Sequence, residues 1–259
     1  MNKVIAVVIP FKASNSERVR NLIYNIKYHK KNLPNCKIII VEQDTVTDLK
    51  SVNNLVDIYH NIQTNNDSFR KAYLFNQGYN IAQNNFAADY IIFLDADCLI
   101  EKSILNNIKL YYDYFDKYFV IPYKRKVYYL SNKETVNFIN DDQDNINDNE
   151  NKDLEGIRNA SGGAGIISSK NYYYVGGFDE RFKGWGVEDD AFHNKCIGLG
   201  ISVYRLESDL VHLYHPDAFQ NYDNYGNNLK IYNEDYGKKK IIDIVNALGK
   251  DHLVPPVKK

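Results

Sequence analysis

The chain reads as an α/β protein with a mainly parallel sheet and helices on both faces. Residues 1–220 form a single domain on this reading, and 221–259 form a helical extension and tail. Three observations predict it. Apolar runs of strand length recur at residues 4–9, 37–41 and 90–94, segments of helical spacing separate them, and the runs are continuously apolar, as in strands covered on both faces.

The elements follow in order. The first run ends at Pro10, and Ser14 or Ser16 can cap a helix to about Lys30 with Val19, Leu22, Ile23 and Ile26 as its buried stripe. The second run leads into Glu42-Gln43-Asp44. Residues 49–56 read as a short helix and 58–62 as a strand. Asp67 or Ser68 can cap a longer helix whose apolar positions Phe69, Ala72, Tyr73, Phe75, Tyr79 and Ala82 share one face. The third run stops at Asp95-Ala96-Asp97. Pro10, Glu42 and Asp95 therefore all stand at strand C-terminal ends, where open α/β sheets bind ligands, and should meet in one crevice. Residues 140–155, dense in Asn and Asp, read as a flexible surface insertion. Residues 187–199 read as a helix stopped by Gly200, and Tyr222 opens the extension.

Composition narrows the function. The 259 residues are 44% hydrophobic and 25% charged, with net charge −1. That balance gives no global attraction to nucleic acid or an anionic membrane. Three widely spaced cysteines fit neither a disulfide framework nor a zinc site and suggest a reducing compartment. No apolar run nears the roughly 20 residues of a membrane span. No signal peptide or anchor is visible, so the expectation is a soluble, cytoplasmic protein without a transmembrane segment. Oligomeric state is not encoded in any pattern.

The most informative stretch is Gly184-Trp185-Gly186-Val187-Glu188-Asp189-Asp190. It sets the only tryptophan between two glycines, just before three adjacent carboxylates. A helix N-terminus favours one acid, but three repel one another. A mobile loop carrying an aromatic plate into an acid cluster suits closure over a hydroxyl-rich substrate and removal of a proton from it. Asp95-Ala96-Asp97 offers hard oxygen ligands for Mn²⁺ or Mg²⁺, or equally a turn capping a helix after Leu99. His215, before Pro216, can supply a nitrogen ligand to a metal held by Asp97, with His212 as the alternative; alone it reads as an ordinary hydrogen-bonded histidine. Ser161-Gly162-Gly163-Ala164-Gly165 permits close backbone approach to a ligand, or is simply a turn.

Taken in order, these blocks resemble the GT-A glycosyltransferases, in the β-1,4-galactosyltransferase-like branch whose C-terminal motif is shared by bacterial chondroitin-type polymerases and related family 2 enzymes. Ile9-Pro10-Phe11-Lys12 is similar to the family's Ile-Pro-Phe-Arg strand end, and Ile40-Val41-Glu42-Gln43 to the strand near the uracil. Phe69-Arg70-Lys71-Ala72 with Leu74-Phe75-Asn76-Gln77-Gly78 is similar to its Phe-Asn-Arg-Ala…Leu-x-Asn-x-Gly helix, Asp95-Ala96-Asp97 to its metal motif, Gly162-Gly163 to the segment beside the donor sugar, and Gly184–Asp190 to its Gly-Trp-Gly-Gly-Glu-Asp-Asp signature.

The resemblance, spanning roughly 4–217, implies an inverting transfer from a UDP-sugar to a hydroxyl of a glycan or glycoconjugate. Asp97 and His215 would hold Mn²⁺ (or Mg²⁺), and Asp189 would be the general base. Pro10, Phe11, Lys12, Glu42, Lys71 and Asp95 would bind the nucleotide. Gly162, Gly163, Trp185, Glu188 and Asp190 would hold donor sugar and acceptor. Lys12 and Lys71 stand where arginine is usual, which keeps charge but loses bidentate geometry. Val187 replaces a glycine and stiffens the loop. Ala160 replaces a bulky aromatic, so N-acetylgalactosamine joins galactose as a donor sugar. Rival readings are a GT-A transferase using UDP-glucose or UDP-glucuronate on a protein or lipid, and a non-catalytic sugar- or nucleotide-binding module.

Overall fold

The computed structural model describes residues 3–65, 68–124, 126–141, 161–216 and 224–257. The chain opens with β1 (Ile5–Phe11), α1 (Ser16–Asn32), β2 (Lys37–Gln43), β3 (Ile58–Ile62), α2 (Lys71–Phe86) and β4 (Tyr90–Leu94). It continues with β5 (Cys98–Ile100), α3 (Lys102–Asn106), α4 (Tyr112–Lys117), β6 (Phe119–Ile121), β7 (Val127–Tyr129) and α5 (Asn132–Asn140). After these come β8 (Ala164–Ser168), α6 (Ser169–Tyr174), α7 (Glu188–Gly198), β9 (Val203–Arg205), β10 (Leu210–His212), α8 (Tyr225–Ile231) and α9 (Ile241–Leu248).

A seven-stranded sheet, ordered β3-β2-β1-β4-β8-β6-β9, forms the centre, and β5-β10-β7 form a smaller one. The strands from β3 to β4 are parallel, and β8 then runs antiparallel to both β4 and β6. Strands β1 and β4 are buried along their whole length, as their unbroken apolar sequence requires. Helix α2 lies over β1 and β2, and Gly78 makes that fit possible: a Cβ there would overlap Val8 Cγ1. Phe93 of β4 heads an aromatic core in which Phe178 stacks on Phe192 with ring centres 4.3 Å apart and on Phe75 at 5.0 Å. This core fixes the chain on both sides of the tryptophan loop to the central sheet.

Several local expectations change. The cap of α1 is Asn15, whose side chain accepts from Arg18 N, and not Ser14 or Ser16. Residues 49–56 form only a 3₁₀ turn at Lys50–Val52, because a helix that short does not repay its nucleation and Asn53-Asn54 form helix poorly. Helix α2 starts at Lys71, and its entry is held from a neighbouring strand: Gln43 Oε1 accepts from Arg70 N at 2.9 Å. The Asp95-Ala96-Asp97 turn leads not into a helix but into β5, which pairs with β10. Asp67, Ala160, Tyr222 and residues 142–155 of the acidic insertion lie outside the described residues.

The extension packs on α7. Ile244 of α9 and Tyr236, in a π-helical turn at Tyr232–Tyr236, join Phe182 and Ala191 in a second apolar cluster bordered by Val187. No helix among the described residues is long and apolar enough to cross a membrane.

Candidate active site

The C-terminal ends of β1 and β4 open into a cavity of about 810 Å³, closed on its other sides by the Gly162-Gly163 turn, the Trp185 loop and the end of β10. Pro10, Phe11, Lys12, Lys71, Asp95, Asp97, His212 and His215 all line it, as do Gly162, Gly163, Trp185, Glu188, Asp189 and Asp190. Glu42 does not. It is fully buried, and its carboxylate accepts from Thr45 Oγ1 at 2.7 Å, Thr47 Oγ1 at 2.7 Å and Tyr59 Oη at 2.6 Å. Thr45 Oγ1 in turn accepts from Ala13 N at 3.1 Å, so Glu42 braces the strand end that carries Lys12.

One wall of the cavity is built on Asp97. Asn25 of α1 donates to the carbonyls of Asp95 at 3.1 Å and Cys98 at 2.7 Å, locking the turn, and Leu213 N donates to Asp97 O at 2.8 Å, tying the end of β10 to it. The Asp97 carboxylate then meets His215 Nε2 at 3.2 Å and His212 Nε2 at 3.6 Å. Burial alone would raise its pKa, but the two histidines and Arg18 outweigh burial and hold it well below the carboxylate range. A buried ionised carboxylate beside two imidazoles is a donor set that fits a divalent first-row ion. His215 Nδ1 has Pro216 O at 3.1 Å, the kind of outer partner that orients a ligating imidazole. Asp97, His212 and the Cys98 sulfur offer ligand atoms within 4.8 Å of one another, but burial and the neighbouring carboxylates push the Cys98 thiol well up and keep it protonated. The structure thus brings both candidate histidines to Asp97.

A second part of the lining is built on Lys71. Its ammonium lies 3.0 Å from Asp189, 3.1 Å from Asp95 and 3.3 Å from Glu188. Burial opposes its charge, yet the three carboxylates raise its pKa well above the lysine value. Asp95 is raised, by burial first, then by Asp189 and Asp97 against the offset of Lys71. Burial and the Asp189 charge push Glu188 up to about 7, with Lys71 working the other way. Glu188 also accepts from Gly186 N at 3.1 Å, while Asp189 is the more accessible from the cavity. Gly162 has a definite role here: a Cβ would occupy the place of the Asp189 carboxylate. Gly163, at φ +87, packs its backbone under Cys98 and Leu210. Ser161 Oγ donates to Asp190.

Trp185 is 51% exposed at the cavity edge. Its loop is anchored: Gly184 N donates to Phe69 O at 2.8 Å, and Asn228 holds it from the other side. Val187 sits at φ +58, the left-handed region that a β-branched residue enters only under strain.

Arg18 escaped the sequence reading. Its guanidinium lies 3.6 Å from Asp97 and 3.1 Å from His215 Nδ1, and its buried Nε has no hydrogen-bond partner among the described residues. No local pattern marks it, because its partners are 79 and 197 positions away.

An acid-lined crevice at the strand ends, a buried carboxylate beside two imidazoles and an aromatic loop leading into a cluster of acids thus share one cavity of a GT-A-type α/β fold. The chain belongs to the glycosyltransferase-like family 2, whose model matches residues 6–242. Within it the chain is galactosyltransferase-like. It is 29% identical over 150 residues to β-1,4-galactosyltransferase 6 of Mus musculus, an alignment covering 57% of this chain and 31% of that protein. A 44-residue block is 39% identical to β-1,4-galactosyltransferase 7 of the same species, covering 17% and 14%. The chain thus spans about a third or less of the curated relatives it matches. Among solved structures, a mutant Drosophila β-1,4-galactosyltransferase 7 in complex with manganese, UDP-galactose and xylobiose superposes with TM-score 0.53 at 18% identity, over 83% of this chain and 72% of that one. TarS of S. aureus superposes with TM-score 0.53 at 14% identity, over 83% and 38%. These likenesses establish the fold.

Proposed function

We propose that the chain is an inverting, metal-dependent glycosyltransferase that moves a hexose or N-acetylhexosamine, galactose or N-acetylgalactosamine first, from a UDP-sugar to a hydroxyl of a glycan or glycoconjugate. The observation that carries this is that one cavity brings together the Asp97–His212–His215 cluster, Asp189 and the Trp185 loop. The galactosyltransferase relatives and the UDP-galactose–manganese complex of a structural neighbour support it.

Asp97, His215 and His212 would hold Mn²⁺ (or Mg²⁺), which when bound neutralises charge on the UDP leaving group. Pro10, Phe11, Lys12 and Asp95, which line the cavity, would bind the nucleotide. Asp189 accepts the acceptor hydroxyl proton as that oxygen bonds to the anomeric carbon. The bond from that carbon to the β-phosphate oxygen breaks on the opposite face, and UDP departs with the electron pair. Asp189 is better placed than Glu188 for this, being the more accessible, whereas burial pushes Glu188 toward its protonated form. Trp185 covers the acceptor and excludes water, while Glu188, Asp190 and the Gly162-Gly163 backbone hold sugar hydroxyls.

The test is UDP release across a panel of UDP-sugars with Mn²⁺, followed by Asp189→Asn. Transfer should fall by about 10²–10⁴-fold with UDP–Mn²⁺ binding retained. Near-normal transfer by that variant overturns the base assignment, and no turnover with any donor overturns the function.

A further inference from the structure

The Trp185 loop is held by a residue of the C-terminal extension that no motif marks. Asn228, on α8, is 1% exposed. Its Nδ2 lies 2.8 Å from Lys183 O, 3.2 Å from Trp185 O and 3.2 Å from Gly186 O, and its Oδ1 accepts from Lys183 N at 3.3 Å. Each of these bonds goes to the backbone of 183–186. One turn earlier, the Tyr225 ring lies 5.2 Å from the Trp185 ring, and a Cβ on Gly186 would come within 2.5 Å of it. Asn224 Nδ2 donates to Ser68 Oγ at 2.6 Å, joining α8 to the chain beside Phe69, whose carbonyl binds Gly184 N. The loop is therefore clamped between the entry to α2 and the first turns of α8.

The geometry points to Asn228 as a positioning residue for transfer, with Tyr225 as its packing partner. By fixing the 183–186 backbone, Asn228 sets where the Trp185 indole stands over the cavity, and so how well an acceptor hydroxyl competes with water for the donor. The inference rests on the proposed function for its catalytic half. The two N–H groups of this buried amide are shared among three loop carbonyls, so its removal takes a polar anchor from each of them and leaves the loop less tied to one conformation.

Trp185 is the only tryptophan, so its emission reports the loop alone. Asn228→Ala and Tyr225→Ala would be compared with wild type by time-resolved Trp185 anisotropy, by UDP affinity with Mn²⁺, and by UDP release with the donor alone and with a panel of hexose and disaccharide acceptors. Both variants should enlarge the nanosecond local depolarisation of Trp185 by about twofold. The ratio of donor hydrolysis to transfer and the acceptor KM should rise about tenfold, with UDP affinity within about twofold of wild type. Tyr225→Ala leaves the amide in place, so it carries the test if Asn228→Ala does not fold. Unchanged anisotropy, or a freer Trp185 with an unchanged hydrolysis ratio and acceptor KM, overturns the positioning role while leaving the proposed function standing. A wild-type protein inactive on every donor overturns the function and, with it, the catalytic half of this inference.

Discussion

Single residues at this site answer to their neighbours more than to their own type. Gly162 is small because Asp189 needs the space, so Gly162→Ala should displace the carboxylate and lower transfer by about 10²-fold while costing little stability, since the backbone there is not left-handed. Transfer kinetics beside a thermal melt check it. Glu188 gives the pH test. Its folded pKa of about 7 lies above the ordinary 4.5, because burial and Asp189 disfavour its charge. The folded state then holds more protons than the unfolded chain between those values, so this group lowers stability as pH rises from 4.5 to 7. Glu188→Gln should therefore be more stable than wild type at pH 8 and lose that advantage by about pH 4.5, as read by urea denaturation at the two pH values. An advantage that persists at low pH contradicts the assignment.

Elements show the same dependence on contact. Helix α2 carries Lys71 at its first position, and its seat on the sheet depends on Gly78 against Val8. Gly78→Ala should destabilise the fold by about 1–3 kcal/mol through overpacking, despite alanine's better helix propensity, and denaturant titration decides which effect wins. The strands and the long helices were legible because burial on both faces leaves continuous apolar runs and burial on one face leaves a helical stripe. β3 and β4 match their expected bounds, and α7 is within a residue of its own. What escaped depends on distant partners: Gln43 at the entry to α2, β10 drawing Cys98–Ile100 into a strand, and Asn228 holding a loop 42–45 positions away.

For the molecule as a whole, the described cavity gathers Asp95, Asp97, Glu188, Asp189 and Asp190 against Lys12, Arg18 and Lys71, although the entire chain carries only −1. Lys71 is already engaged by three of those acids. A diphosphate entering this field needs added positive charge, so removing divalent metal with a chelator should weaken UDP binding by about 10²-fold or more, and Asp97→Ala should do the same in excess Mn²⁺. Calorimetry reads both, and metal-independent UDP binding contradicts the metal-holding role of Asp97.

The sequence by itself determined the α/β architecture, the order of the strand-end motifs and the aromatic–acid block, because each is written in local periodicity or adjacent residue types. Only the tertiary structure decided that Glu42 is an internal brace, that His212 joins His215 at Asp97, that Lys71 is locked among three carboxylates, and that the tryptophan loop is clamped by the extension. Those outcomes depend on which side chains meet across the fold, and charge and hydrogen-bond partners at that range leave no trace in sequence spacing.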